Sequence, residues 1–133
     1  MDGTGSGDEI RELLDELIKA QNSGDAPRLR AVLSERPDAV HIGTDSGEWW
    51  TSGQLVDAVA AAGSGNDIRA AVDEMDVHVQ GDMAWVEGRG RFTRADGAER
   101  PVRITGVLVR EGGQWKLVQS HGSIAVPNAD IFS

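Results

Sequence analysis

The hydrophobic positions in the first half of the chain recur every three or four residues. Such spacing places them on one face of a helix. The longest stripe predicts a helix that Asp8 caps and that ends near Asn22; its members are Ile10, Leu13, Leu14, Leu17 and Ile18. A second helix is predicted after Asp25, and a third after Ser52, its possible N-cap. The N-terminus, MDGTGSGDEI, is Gly-rich and acidic, and residues 1–7 are predicted to be a disordered lead.

The second half of the chain alternates hydrophobic and polar residues, which is the pattern of β-strands. Between residues 68 and 126 it predicts about four long antiparallel strands joined by tight turns. A short strand is expected at residues 39–43 and a loop at 44–53. Glycines inside the long strands predict bulges or bends, and hence a strongly curved sheet; they are Gly88, Gly90, Gly106 and Gly122. The predicted fold is α+β, a single domain over residues 8–133, with three helices packed on a curved, mostly antiparallel sheet that encloses a pocket.

Composition and charge exclude several classes of function. The net charge of −9 over 133 residues argues against binding to nucleic acid or to anionic membrane surfaces. The chain has no cysteine, so disulfides and thiolate chemistry are excluded. It has no membrane-spanning apolar run and no signal-peptide pattern at its N-terminus, so a cytoplasmic protein is expected. No cluster of His, Asp and Glu has metal-ligand spacing, and neither a metal nor a cofactor is predicted.

Two stretches of the chain carry a family resemblance. They are HIGTDSGEWWTSGQLVDAV, residues 41–59, and RITGVLVREGGQWKLVQSHGS, residues 103–123. With the order of the helices, they resemble the nuclear transport factor 2-like superfamily, which includes ketosteroid isomerase and the SnoaL-like polyketide cyclases, over roughly residues 8–127. The resemblance implies a cone-shaped fold with a deep, mostly apolar pocket, and a homodimer formed through the outer face of the sheet. It does not specify a function, because this fold hosts enzymes and association domains alike.

The last strand ends in polar side chains at alternate positions. If no bulge intervenes, one face holds Trp115, Leu117, Gln119, His121 and Ser123. In the superfamily, the histidine position of the last strand tends to point into the cone. The resemblance therefore implies acid–base catalysis or hydrogen bonding to a ligand oxygen for His121. The alternative is a structural histidine bonded to a serine or a backbone carbonyl.

Arg103 and Thr105 lie on the neighbouring strand and share a face with valines. Thr105, like Gln119 and Ser123 on the last strand, is predicted to contact a ligand in the pocket. Arg103 either anchors a ligand carboxylate or enolate oxygen, or forms a salt bridge with Glu87. Glu87 becomes a pocket carboxylate only if a bulge at Gly88 or Gly90 re-aims its strand.

The remaining candidate site residues are one aspartate and three tryptophans. Asp45 is either a general base with a pKa raised by an apolar pocket, or the start of an Asx turn. Trp49 and Trp50, near the pocket entrance, and Trp85, on a long strand, are candidates for ligand contact.

The other histidines and the fourth tryptophan receive no site role. His41 alternates with Val40 and Ile42, which are predicted to be the core residues, and His78 lies among acidic residues on the polar side of its strand. Trp115 is predicted to be structural.

The sequence favours a small-molecule binding protein whose ligand, apolar or acidic, is not identified. One alternative is a cofactor-independent isomerase, cyclase or dehydratase that moves a proton next to a carbonyl, with His121 or Asp45 as base and Arg103 at the oxyanion. The chain has no Tyr, so it cannot copy ketosteroid isomerase, which uses a Tyr hydroxyl as oxyanion donor. The other alternative is a non-catalytic association domain. The last strand of the superfamily's kinase association domains ends with a similar Trp…His-x-His-x-Ser pattern. In the present sequence, Gln119 stands at the position of the first of those two histidines.

Overall fold

Three helices and a six-stranded sheet form the computed structural model, which describes residues 3–65 and 67–133. The helices are α1 (Gly3–Ser23), α2 (Ala26–Val32) and α3 (Ser52–Ala62). The strands are β1 (Val40–Ile42), β2 (Trp49–Trp50), β3 (Ile68–Gln80), β4 (Met83–Arg94), β5 (Glu99–Glu111) and β6 (Gln114–Ser123). In this described part of the chain, no helix is both long and apolar enough to cross a membrane.

Helix α1 starts earlier than the hydrophobic stripe predicts. It begins at Gly3, so Asp8 lies inside the helix instead of capping it. Residues 3–7, predicted to belong to a disordered lead, are therefore helical, while Met1 and Asp2 lie outside the described residues. The stripe itself marks the buried face correctly, since Ile10 is fully buried.

The two shorter helices are capped by side chains. Asp25 caps α2 as predicted, and its carboxylate accepts the Arg28 N–H at 3.2 Å. The cap of α3 is Thr51, one residue before the predicted Ser52. Its hydroxyl accepts the Gln54 N–H at 3.2 Å, and the Gln54 side chain accepts the Thr51 N–H at 2.9 Å. This reciprocal pair is a capping box, which fixes the start of α3.

The sheet runs in the order β2-β1-β6-β5-β4-β3. The four long strands form an antiparallel meander, as the alternation predicts, and β1 adds to β6 in parallel. Strand β2 falls within residues 44–53, which were predicted to be a loop. The α+β class, with three helices and an open curved sheet, is confirmed.

Two register shifts interrupt the meander. In β3, Val72 pairs with Gly90 and Glu74 with Arg89, so Asp73 is an extra residue. In β6, Leu117 pairs with Leu108 of β5 and Gln119 pairs with Val107, so Val118 is the extra residue. A bulge bends its strand and reverses which alternate residues point to a given face.

Glycines in β4 allow the bend next to the β3 bulge. A Cβ on Gly90 would overlap the Ala71 carbonyl oxygen, and one on Gly88 would lie 2.7 Å from the Glu74 carbonyl oxygen. No side chain fits at such distances, so the close approach of β3 and β4 requires glycine. The curvature predicted from the strand glycines is confirmed here.

The core fills one end of the space between helices and sheet. Its members come from all three helices and from β4 to β6; the largest are Ile10, Leu14, Leu17, Leu29, Leu33, Leu55, Leu108, Trp115 and Leu117. Trp115 is structural, as predicted, because it is 4% exposed and the Arg110 guanidinium stacks 4.4 Å above its ring centre. Leu17 and Leu55 also belong to the wall of a cavity, so the cavity begins where the core ends.

Candidate functional site

A cavity of about 580 Å³ lies between the inner face of the sheet and helices α1 and α3. Its walls are mostly apolar: α1 contributes Leu17 and Ile18, α3 contributes Leu55 and Val59, and the sheet contributes Val102 and Ile104. The size and the apolar walls are those of small-molecule sites.

A buried polar cluster forms part of this wall. His41, in β1, is 3% exposed, and its Nδ1 lies 2.8 Å from the Ser120 hydroxyl oxygen. Its Nε2 lies 3.0 Å from the hydroxyl oxygen of Ser52, the first residue of α3. Burial lowers the pKa of His41 to about 4, because desolvation disfavours the charged imidazolium. The imidazole is therefore neutral at pH 7.

Sheet pairing brings this cluster together. Strand β1 lies parallel to β6, and His41 is in register with Ser120. The bulge at Val118 places Ser120 on the inner face of the sheet, where its partner in β5 is the buried Gly106. The cluster thus joins residues from three elements, of which β6 is far from the other two in the sequence.

A neutral imidazole between two hydroxyls acts as a hydrogen-bond relay and is a poor base. Its two nitrogens are one donor and one acceptor, so one serine donates to His41 while the other accepts from it. An imidazole with a pKa near 4 binds a proton weakly at pH 7, which limits His41 as a general base.

Polar side chains from three segments line other parts of the cavity. The Glu48 carboxylate accepts the Asp45 N–H at 2.9 Å. Arg94 and Arg100 are both exposed, and Arg94 Nη2 pairs with the Asp96 carboxylate at 2.7 Å. These two guanidiniums are cationic groups on the wall of a cavity in an acidic protein.

The predicted inward face of the last strand ends at Leu117. Because of the bulge at Val118, Gln119, His121 and Ser123 alternate onto the face opposite Ser120, and the prediction that they share a face with Trp115 is wrong. Gln119 and His121 are exposed. His121 still borders the cavity rim, and its acid–base role stays a prediction.

Arg103, Thr105 and Glu87 also lie on the outer face. Thr105 of β5 is in register with Glu87 of β4, and both are exposed. Arg103 donates to the Ser123 hydroxyl at 3.3 Å, whereas Glu87 lies 2.8 Å from His78 Nε2. The predicted Arg103–Glu87 salt bridge is therefore wrong. The bulge lies in β3, so Glu87 is not re-aimed into the cavity.

Asp45 and the three tryptophans are placed at different sites. The Asp45 carboxylate accepts the Gly47 N–H at 3.5 Å in an exposed turn, in agreement with the Asx-turn alternative. Trp50 lines the cavity, but Trp49 is 70% exposed. Trp85 is 46% exposed on the outer face, where it stacks on His78 at 5.3 Å.

His41 and Ser120 were not among the predicted site residues. Val40 and Ile42 were predicted to be the core residues of this strand, whereas both are only half-buried and His41 is buried. A strand of three residues with apolar neighbours gives no indication of which face is inside. No motif signals the pairing of β1 with β6, so sequence spacing could not have found this cluster.

The described residues hold no group of three or more His, Asp or Glu side chains that could bind a metal ion.

Comparison with known proteins places the chain in a family. The family model for the SnoaL-like domain matches residues 10–127. No curated protein matches the sequence.

Several solved structures share the fold. An NTF2-like protein of unknown function from Pseudomonas putida KT2440 has a TM-score of 0.81 at 21% identity, over 95% of this chain and 91% of that one. An NTF2-like superfamily protein from Salmonella enterica serovar Typhimurium LT2 has a TM-score of 0.82 at 16% identity, over 99% of both chains. An NTF2-like protein from Cytophaga hutchinsonii ATCC 33406 has a TM-score of 0.74 at 18% identity, over 94% of this chain and 100% of that one.

These identities support a common fold and no more. The SnoaL-like family predicted from the two sequence stretches is confirmed by the family model. Because the family model covers most of the chain, this protein belongs to the family of SnoaL-like domains.

Proposed function

We propose that this protein binds a small, mostly apolar molecule in the cavity between the sheet and helices α1 and α3. The cavity itself is the observation that supports this most directly. Its volume of about 580 Å³ far exceeds the few water-sized voids that close packing leaves in a domain. Its apolar wall carries a few polar groups, a combination that gives a small ligand both affinity and orientation.

Charge on the wall favours a ligand with an acidic end. The protein has a net charge of −9, yet Arg94 and Arg100 both line the cavity. A carboxylate near them would form charge-assisted hydrogen bonds, while the apolar body of the ligand lies deeper. Membership of the SnoaL-like family supports a ligand-binding or isomerase-type domain in general.

Binding without a reaction agrees best with where the predicted catalytic groups lie. Proton transfer next to a carbonyl needs a base within hydrogen-bond reach of the bound substrate. His121 is on the rim, Asp45 is in an exposed turn and Arg103 is on the outer face. His41, which does reach the cavity, has a pKa of about 4 and is a weak base.

A dye-binding experiment with two matched variants tests the proposal. The probe is 1-anilinonaphthalene-8-sulfonate, which has an apolar body and an acidic group. Ala58 lines the cavity from α3, and Ala60 is exposed on the same helix. Ala58→Trp should fill the cavity and weaken dye binding more than tenfold, whereas Ala60→Trp should leave it unchanged.

Fluorescence titration measures the affinity, and near-ultraviolet circular dichroism checks that each variant is folded. Equal dye affinity in folded Ala58→Trp and wild-type protein would refute binding in the cavity.

The outer face of the sheet favours a second function, association with another copy of the chain. Met83 and Trp85 are 51% and 46% exposed, and they are in register with Val109 and Val107 of β5. This is a continuous apolar strip on an otherwise polar and charged face.

Charges of both signs flank the strip, with Arg89 and Arg103 beside Glu74 and Glu87. A two-fold axis through such a surface can bring cations of one copy onto anions of the other. We therefore propose a homodimer formed through this face.

Sedimentation equilibrium at micromolar concentration tests the dimer. The wild-type mass should be about twice 14.2 kDa. Trp85→Glu should yield the monomer, whereas Trp49→Glu, at another exposed tryptophan, should leave the dimer intact. A monomeric wild-type protein would refute this second proposal without affecting the first.

A further inference from the structure

The Ser52–His41–Ser120 relay joins the cavity to a point outside it. Ser120 lines the cavity, and so does His41. Ser52 is 8% exposed and borders a separate hollow of about 290 Å³ between α2 and α3. Only the Ser120 end of the relay therefore presents a hydroxyl to a molecule in the cavity.

The relay has two complete hydrogen-bonding arrangements. In one, Ser52 donates to Nε2 of His41, and Nδ1–H donates to the oxygen of Ser120, whose own hydrogen is then free to point into the cavity. In the other, Ser120 donates to Nδ1 and Nε2–H donates to Ser52, so the Ser120 oxygen can accept a hydrogen bond from a ligand. Both arrangements use the same observed distances, 2.8 and 3.0 Å.

We infer that this relay is the part of the cavity that recognises a neutral oxygen, a ketone or a hydroxyl, on an apolar ligand. The inference rests on the proposed function and adds the ligand chemistry. When the ligand is a ketone, Ser120 donates to it. An alcohol can accept from Ser120 in the same way, and when the relay reverses it can also donate its own hydrogen to the Ser120 oxygen. A group that is always a donor, such as an arginine, could not accept that hydrogen.

The charge state of His41 agrees with this role. Its pKa is about 4, so it stays neutral above pH 5 and retains the one donor and one acceptor that the relay needs. A protonated imidazole would donate from both nitrogens and would fix Ser120 as an acceptor from His41.

Three probes of one shape test the inference: fluorene, 9-fluorenone and 9-fluorenol. They share a ring skeleton and differ in the oxygen at one carbon. Equilibrium dialysis with the full chain measures the three dissociation constants. Ser120→Ala should weaken 9-fluorenone and 9-fluorenol about fivefold, the effect of one neutral hydrogen bond, and leave fluorene unchanged.

The matched control is Ser123→Ala. Ser123 is on the same strand but on the outer face, where it bonds Arg103. This variant should bind all three probes like the wild type. Unchanged fluorene binding by Ser120→Ala shows in addition that the cavity is intact.

Ser52→Ala tests the relay through a residue that lines only the other hollow. It leaves Nε2 of His41 without its partner, which favours the tautomer with the hydrogen on Nδ1, because a buried N–H without an acceptor is the costlier defect. Ser120 is then fixed as a donor, which suits 9-fluorenone, whereas 9-fluorenol loses the arrangement in which its hydroxyl donates. The affinity ratio of 9-fluorenone to 9-fluorenol should therefore rise two- to threefold, on the order of a fraction of one hydrogen bond. The ¹⁵N chemical shifts of His41 should report the same tautomer.

The outcomes separate this inference from the proposed function. If Ser120→Ala binds all three probes like the wild type, Ser120 makes no hydrogen bond to the oxygen of the probe, and the inference is refuted. The cavity then remains a ligand site. If Ser52→Ala changes neither the ratio nor the tautomer, the reversal of the relay is refuted. If none of the three probes binds the wild-type chain, this inference fails, and the dye experiment alone decides the proposed function.

Discussion

The inner and outer faces of the sheet are made by the same strands but have opposite chemistry. In β4, Ala84 and Val86 are buried on the inner face, while Trp85 and Glu87, which alternate with them, are exposed on the outer face. A shift of one residue in register exchanges the two faces completely. The bulge at Val118 does this in β6, and it decides that Ser120 is on the inner face of the sheet while Gln119 and His121 are on the outer face.

The two faces also differ in how their contacts stabilise the fold. The inner face buries apolar side chains, at roughly 25 cal/mol for each Å² removed from water. The outer face carries exposed ion pairs such as Arg89–Glu74, whose side chains are 80% and 62% exposed. Pairs of this kind contribute about 0–1 kcal/mol. Substitutions on the inner face should therefore cost much more than those on the outer face.

The largest difference is expected between two neighbouring residues of β5. Leu108 is fully buried on the inner face, and Val109 lies on the outer face. Leu108→Ala should lower the free energy of unfolding by about 3 kcal/mol through lost burial and the cavity left behind. Val109→Ala should lower it by less than about 1 kcal/mol.

Urea denaturation measures both. Similar losses of unfolding free energy in the two variants would contradict the contrast between the faces. A loss in Val109→Ala that grows with protein concentration would show that a second copy of the chain covers Val109.

Glycine at the bend is the next most sensitive feature. Gly90→Ala places a Cβ against the Ala71 carbonyl oxygen, so β3 and β4 must separate, at an expected cost of about 2–3 kcal/mol. The control is Gly53→Ala in α3, where the added Cβ would have no atom from outside its own helix segment within 4 Å. Alanine should stabilise the helix there by about 0.5–1 kcal/mol. Thermal unfolding compares the two, and a Gly90→Ala variant as stable as wild type would show that the bend does not require glycine.

The buried histidine should make the inner face sensitive to acid. His41 has a pKa of about 4 in the folded chain, below the ordinary value of 6.5 that it regains on unfolding. As the pH falls below 6.5, the unfolded chain binds this proton first, so stability present above pH 6.5 is lost as the pH approaches 4. At pH 5 the loss should reach about 2 kcal/mol.

His41→Gln removes this contribution, whereas the carboxylates contribute alike in both proteins. The free energy of unfolding, measured from pH 8 to pH 5, should therefore fall less steeply in the variant. Parallel curves would mean that His41 does not titrate in this way.

The smallest effect is expected from the outer face. Glu87 and His78 lie 2.8 Å apart, but their side chains are 51% and 41% exposed. Glu87→Gln should change the free energy of unfolding by no more than about 0.5 kcal/mol, and added salt should reduce the difference further. Urea denaturation at low and high salt measures this, and a loss above about 1 kcal/mol would place Glu87 in a desolvated contact.

Most of the fold could be predicted from the chain, and little of the site. The stripe around Ile10 indicates a buried helix face whatever its partner, and the strand glycines indicate curvature, since both patterns are local. Trp50 was the one predicted ligand contact whose side chain the structure places in the cavity wall, with His121 at its rim. Gln119, His121 and Ser123 were assigned to the inward face by unbroken alternation, which fails once a strand contains a bulge.

The sequence by itself determined the class of the protein: helices first, then a meander of long strands, in an acidic chain without cysteine. Local periodicity, caps and turns are sufficient for that. Only the tertiary structure decided which side chains meet. The parallel pairing of β1 with β6 and the extra residue Val118 brought His41 to Ser120, across 79 positions of the sequence. Strand pairing and register depend on the packing of the whole sheet, and for that reason no local pattern contains them.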